Sequence, residues 1–158
     1  MGRHKRVKIL IKLGMNIHSN KANKMKKNVL ITGTSTGVGF ESSILFAQNG
    51  FKVYATMRNL AKATALEERI KSDNLDIEIL PLDVSSLDSI DNAIKTVIEK
   101  EGKIDILLNN AGAGFAKTLE DASLDEIDWV TDVNYTGVVR TTKSVFTFYE
   151  RKKSRSYH

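Results

Sequence analysis

An apolar run, Asn28-Val29-Leu30-Ile31, leads without a break into Thr32-Gly33-Thr34-Ser35-Thr36-Gly37-Val38-Gly39, and a helix-like stretch follows. A strand that ends in a glycine turn and re-emerges as a helix leaves few architectures open. Glycine lacks a Cβ, so the backbone can take positive φ and lie close against a ligand, while unpaired N–H groups and the helix dipole face its negative charge. The tract therefore reads as a phosphate cradle. Its spacing, Gly-x-x-x-Gly-x-Gly, is a variant of the dinucleotide fingerprint, although a plain strand-to-helix reversal can use the same residues.

The surroundings favour the cradle. Lys52-Val53-Tyr54-Ala55-Thr56-Met57 reads as a second short strand, residues 77–82 as a third and 104–108 as a fourth. Helical patterns at about 40–49, 60–72 and 86–101 separate them, and in the last of these Leu87, Ile90, Ala93, Ile94, Val97 and Ile98 share one face. Strands alternating with helices imply right-handed crossovers and a parallel sheet. We expect an α/β, doubly wound, Rossmann-like sheet with strand order 3-2-1-4, with the crevice for a dinucleotide beyond the first strand. A longer helical segment is expected at about 124–150.

At 158 residues and 41% hydrophobic content, the chain has enough apolar material for one domain, and no Gly/Ser/Pro-rich linker marks a second. The domain is placed at residues 26–148. There is no cysteine, hence no disulfide framework and no thiolate nucleophile. His4, His18 and His158 sit at the two ends, which gives a histidine metal site no support. Residues 1–27 hold nine Lys or Arg and no acid, whereas the remainder has fifteen against nineteen acidic residues, so the net charge of +5 belongs to the arm. Residues 1–25 are read as a basic N-terminal extension without fixed structure. Val7, Ile9, Leu10, Ile11, Leu13 and Ile17 interrupt its lysines, which keeps open a role at nucleic acid or an anionic membrane surface. The run is too short and too charged to span a bilayer and lacks a signal-cleavage pattern. A cytoplasmic location is expected.

The motifs together resemble the short-chain dehydrogenases/reductases over roughly residues 26–148. Four stand in the family's order: the glycine tract, Asp83-Val84 after the third strand, Asn109-Asn110-Ala111-Gly112 after the fourth, and Asn134 in the following helix. Val53-Tyr54-Ala55-Thr56-Met57-Arg58 is similar to the branch containing hydroxysteroid and retinol dehydrogenases. The resemblance implies adenine recognition by Asp83 and the Val84 backbone, with a cap on the helix at 86–101 as the competing role of Asp83. Small residues at Asn110-Ala111-Gly112 would let a nucleotide pass close to the backbone, while the asparagines could also satisfy stray backbone groups. Both roles can hold together.

Cofactor choice rests on an absence. An acid about 20 residues beyond the glycine turn would bond a ribose 2′-hydroxyl and repel a 2′-phosphate. The second strand instead runs out in Thr56-Met57-Arg58-Asn59. Arg58 offers a permanently charged planar fork suited to phosphate, so NADP(H) is favoured over NAD(H). An ordinary solvated arginine is the alternative.

The resemblance also implies hydride transfer with a small carbonyl or alcohol substrate, using a tyrosine, a lysine, a serine and an asparagine. Of these only the asparagine is matched in place, by Asn134, because the family puts the serine and the Tyr-x-x-x-Lys pair beyond a fifth strand. Tyr149-Glu150-Arg151-Lys152-Lys153 fits the letters but lies fifteen residues past Asn134, and is read as a charged helix end. Residues 149–158 are read as a basic tail written out of frame: reading residues 146–158 back to permitted codons and dropping one nucleotide allows Leu-Pro-Phe-Met-Lys-Glu-Lys-Lys-Val-Gly-His-Ile-Ile, as the family would write here. Met25-Lys26-Lys27-Asn28-Val29-Leu30 likewise resembles a natural start of such a protein. The expectation is an NADP(H)-binding portion of an oxidoreductase, inactive as written. A non-catalytic NADP(H)-binding module and a basic-arm binder are the alternatives. An incomplete sheet would leave the fourth strand at an open edge, with an incomplete surface for oligomers.

Overall fold

The computed structural model describes the backbone of residues 26–155 and the side chains of residues 26–150. The basic arm expected at residues 1–25 lies outside the described residues. Four parallel strands form the sheet: β1 (Asn28–Thr32), β2 (Lys52–Met57), β3 (Ile77–Pro81) and β4 (Ile106–Leu108), in the order β3-β2-β1-β4. This is the expected 3-2-1-4 sheet. Helices α1 (Gly37–Gln48), α2 (Thr64–Ser72) and α3 (Leu87–Glu101) make the crossovers, and α4 (Leu124–Thr131) and α5 (Gly137–Arg155) follow β4.

Side chains alternate across a strand, so β1 can serve two cores at once. Val29 and Ile31 pack with Ile44 of α1 and Leu66 of α2, whereas Leu30 joins Tyr54, Ile90, Ile94 and Val97 beneath α3 and α5. All five β1 residues are buried, which explains an apolar run with no polar alternation. On α3 the expected stripe holds at Ile90, Ala93, Ile94 and Val97, but Leu87 is 56% exposed at the first turn, outside the packed length of the helix.

The boundaries differ from the sequence reading where short-range polar bonds intervene. The helix expected over 60–72 is split: Asn59 accepts from the Ala61 N–H and caps a short 3-10 turn, Leu60–Lys62, before α2 begins. Ser86, not Asp83, caps α3, accepting from the Ser89 N–H at 3.3 Å. The Asp83 carboxylate instead accepts from the Ser85 N–H at 2.9 Å in the loop before the helix. The segment expected as one helix over 124–150 is interrupted by a π-turn at Asp132–Thr136. Its last helix runs through to Arg155, so the start of the tail expected at 149–158 is helical backbone.

Among the described residues, β4 has a strand partner on one side only, which is the open edge expected of it. No helix there is long and apolar enough to cross a membrane, and no cluster of His, Cys, Asp and Glu could hold a metal ion.

Candidate functional site

The carboxyl ends of β1, β2, β3 and β4 open onto one cleft of about 560 Å³. Its floor is the glycine turn, contributing Gly33, Ser35, Thr36 and Val38. Met57 and Arg58 form the β2 wall, and Leu82, Asp83 and Val84 the β3 wall. Asn110, Ala111 and Gly112 come from the end of β4, and Ala113, Gly114, Trp129 and Val133 close the far side.

Two glycines in the turn adopt backbone that L side chains rarely take, Gly33 at φ 72° and Gly37 at φ 63°. A Cβ on Gly33 would also come within 2.6 Å of the Ala111 Cα, whereas one on Gly37 would project into open space. Neither Gly37 nor Gly39 lines the cleft, and in Gly39 the small size serves packing. A Cβ there would collide with the Gly33 carbonyl oxygen and the Asn110 amide, so this glycine lets α1 sit against the β4 loop. Thr34 ties the turn to the end of β2, its N–H and its hydroxyl both donating to the Thr56 carbonyl, at 3.0 and 3.1 Å.

The α1 amino terminus meets the requirements of an anion site. Thr36 stands at the cap in extended backbone without a side-chain capping bond, and the first turn carries no acid. Helix N–H groups and the positive end of the dipole are thus turned towards the cleft without an internal carboxylate to quench them. With Thr36 and Val38 in the lining and Arg58 on the wall, the residues present fit a phosphorylated nucleotide.

The asparagines after β4 hold the cleft together. The Asn110 amide donates to the carbonyls of Thr32 (3.0 Å) and Gly33 (2.8 Å), and the N–H groups of Asn110 and Ala111 both donate to the Thr32 hydroxyl at 3.0 Å. The backbone-satisfying role therefore holds for Asn110, beside its place in the lining. Asn109 donates to Thr142 of α5 at 3.1 Å, and its buried Oδ1 lacks a protein partner.

Asn134 lies in the π-turn and not in the cleft lining. Its Oδ1 accepts from the Ala113 N–H at 2.7 Å and its Nδ2 donates to the Ala113 carbonyl at 2.8 Å. The side chain grips the loop that closes the cleft.

Tyr149 is elsewhere. Its hydroxyl bonds the backbone of Ile104, which donates its N–H at 2.7 Å, just before β4 and so at the opposite end of the sheet from the cleft.

Several contributors were missed in the sequence. Thr32, Thr34 and Met57 lie inside the quoted motifs without a role read for their side chains, whereas Leu82, Trp129 and Val133 carry no motif of their own, and only the topology brings them together. Gly137 and Arg140 had a faint signal, a glycine three residues after Asn134 and a lone charge in the apolar opening of α5. A Cβ on Gly137 would lie 2.8 Å from Val84 Cγ2, so this glycine lets α5 press against the β3 wall.

The sequence profile described as short chain dehydrogenase matches residues 27–156. Human retinol dehydrogenase 8 is 34% identical over 131 residues, covering 80% of this chain and 41% of that protein. Estradiol 17-beta-dehydrogenase 1 of Rattus norvegicus is 36% identical over 132 residues, covering 80% and 38%. A crystal structure of an actinorhodin polyketide ketoreductase variant with NADPH superimposes with a TM-score of 0.71 at 26% identity, covering 76% of this chain and 46% of that one. The chain thus spans about half or less of the length of these proteins.

Proposed function

The chain belongs to the short-chain dehydrogenase/reductase family, in the company of retinol and hydroxysteroid dehydrogenases, and from that premise we propose that it is the NADP(H)-holding portion of an oxidoreductase acting on a small carbonyl or alcohol substrate. The observation that carries this reading is the cleft itself: an uncapped, acid-free helix terminus on its floor and Arg58 on its wall. Ser35, Thr36 and Val38 would receive the pyrophosphate on backbone N–H groups. Arg58 would pair with the 2′-phosphate, which NAD(H) lacks. Asp83 would accept from the exocyclic amine of adenine, with the Val84 backbone beside it, and the Asn110-Ala111-Gly112 backbone would flank the ribose and nicotinamide. NADP(H), when bound, supplies the hydride or takes it up.

Asn134, by holding Ala113 through both side-chain atoms, would keep the nicotinamide end of the cleft in shape. The 158 residues by themselves are proposed to bind cofactor without turning substrate over, because Tyr149 is engaged with Ile104. That same observation favours a second reading, a nucleotide-binding module without catalysis. Hydride transfer by the purified chain with NADPH and a panel of ketones and aldehydes would exclude the module and equally contradict the proposal that these 158 residues do not turn substrate over. Binding without transfer supports the proposal, and no binding of NADPH or NADH by folded chain contradicts both readings.

A further inference from the structure

Resting on the proposed reading of the nucleotide base by Asp83 and Val84, we propose that Arg140 is a positioning residue for that recognition, acting through Asp132 and the loop that follows β3. Arg140 forms a two-pronged pair with Asp132, Nη2 to Oδ1 at 2.6 Å and Nη1 to Oδ2 at 3.0 Å, and Nη1 also reaches the Val84 carbonyl at 3.5 Å. The Arg140 guanidinium therefore joins the first residue of the π-turn to the residue that follows Asp83.

A second observation is independent of charge. Gly137 lies one turn before Arg140 on the same helix, and a Cβ there would meet Val84 at 2.8 Å. Val84 is buried and lines the cleft. Its carbonyl and its side chain are thus each held from α5, and the next residue after Asp132, Val133, also lines the cleft.

An isolated surface ion pair contributes little. This pair differs in being two-pronged, with a planar fork that fixes orientation as well as distance. A neutral side chain at position 140 would release the Asp83-Val84-Ser85 loop from the Arg140 fork, leaving it the bonds to Ser86 and Ser89 and the packing of Val84 against Gly137. The effect should then fall on discrimination of the base, beyond any effect on folding.

The test compares NADPH with its deaminated analogue, nicotinamide hypoxanthine dinucleotide phosphate, in which an oxo group replaces the 6-amino group of adenine. The parent chain should prefer NADPH by about tenfold, the scale of one hydrogen bond to a carboxylate. Arg140→Met should compress that ratio to about twofold or less, and Arg140→Lys, which keeps the charge but not the fork, should fall between them. Both variants are checked by circular dichroism, and Arg140→Lys carries the test should Arg140→Met fail to fold. A parent preference retained unchanged by the folded variants overturns the role of Arg140 alone. No preference in a parent that binds both nucleotides overturns the base-reading assignment, and this proposal with it.

Discussion

The Tyr149 hydroxyl is bonded to the backbone of Ile104, receiving its N–H at 2.7 Å at the amino end of the sheet. The same hydroxyl donates to the Ile104 carbonyl. A side chain whose letters suggest a proton donor is therefore a clasp between α5 and the entry to β4. Tyr149→Phe should cost about 0.5–1.5 kcal/mol of stability through the lost bond and leave NADPH affinity unchanged. Urea unfolding and nucleotide titration of the same preparation check both halves. Loss of nucleotide binding without loss of stability would place Tyr149 at the site.

The three glycines of the turn should fail in different ways. Gly33→Ala and Gly39→Ala each drive a methyl into backbone or the Asn110 amide, and overpacking of this kind costs about 1–3 kcal/mol. Gly37→Ala meets no neighbour and bears only the left-handed φ of 63°, about 1–2 kcal/mol. Gly37 stands between the cleft-lining residues Thr36 and Val38, and a shift of that backbone should lower NADPH affinity by more than the stability change accounts for. Thermal unfolding beside titration separates the two, and equal effects of all three on binding would contradict the distinction.

Acid should loosen α4 before the sheet. Lys117, donating at 2.5 Å, and the Ser123 N–H, at 2.9 Å, pull the Glu126 carboxyl down to about 2. Its folded value lies below its unfolded value, so its contribution is complete above about 4.3, the ordinary glutamate value, and is lost as pH falls from there towards about 2. Glu126→Gln should flatten the dependence of stability on pH across that window, with a smaller difference in high salt because the pair is exposed. An unchanged acid profile would remove the pair from the account.

What was legible in the chain was whatever depends on local pattern. The β1 run and the glycine tract announce a strand, a turn and a helix, and the strand order follows once helices separate short apolar strands. Asn110 could be read as lining and as a backbone partner, and it is both. Less legible was anything decided by which of several competing side-chain bonds forms. Asp83 and Ser86 are both good caps, and the choice between them falls on the Ser86 bond to the Ser89 N–H, while the Ser89 hydroxyl accepts from the Asp83 N–H. The π-turn at Asp132–Thr136 has no residue signature; it sits where Asn134 grips Ala113 and Arg140 grips Asp132, contacts that periodicity does not record. Arg140 gives only a faint sign in the sequence, because one charge on an amphipathic helix ordinarily faces solvent.

Arg58 carries the choice of cofactor, and one titration tests it most directly. Trp129 is the chain's single tryptophan and lies at the edge of the cleft, which makes its fluorescence a reporter of nucleotide binding. NADPH should bind the parent about ten- to a hundredfold more tightly than NADH, the scale of a charge-assisted phosphate contact of about 1.5–3 kcal/mol. In Arg58→Ala the gap should shrink towards unity through weaker NADPH binding, with NADH affinity little changed. Equal affinities in the parent, or a preference that survives Arg58→Ala, would contradict the assignment of this cleft to NADP(H) through Arg58.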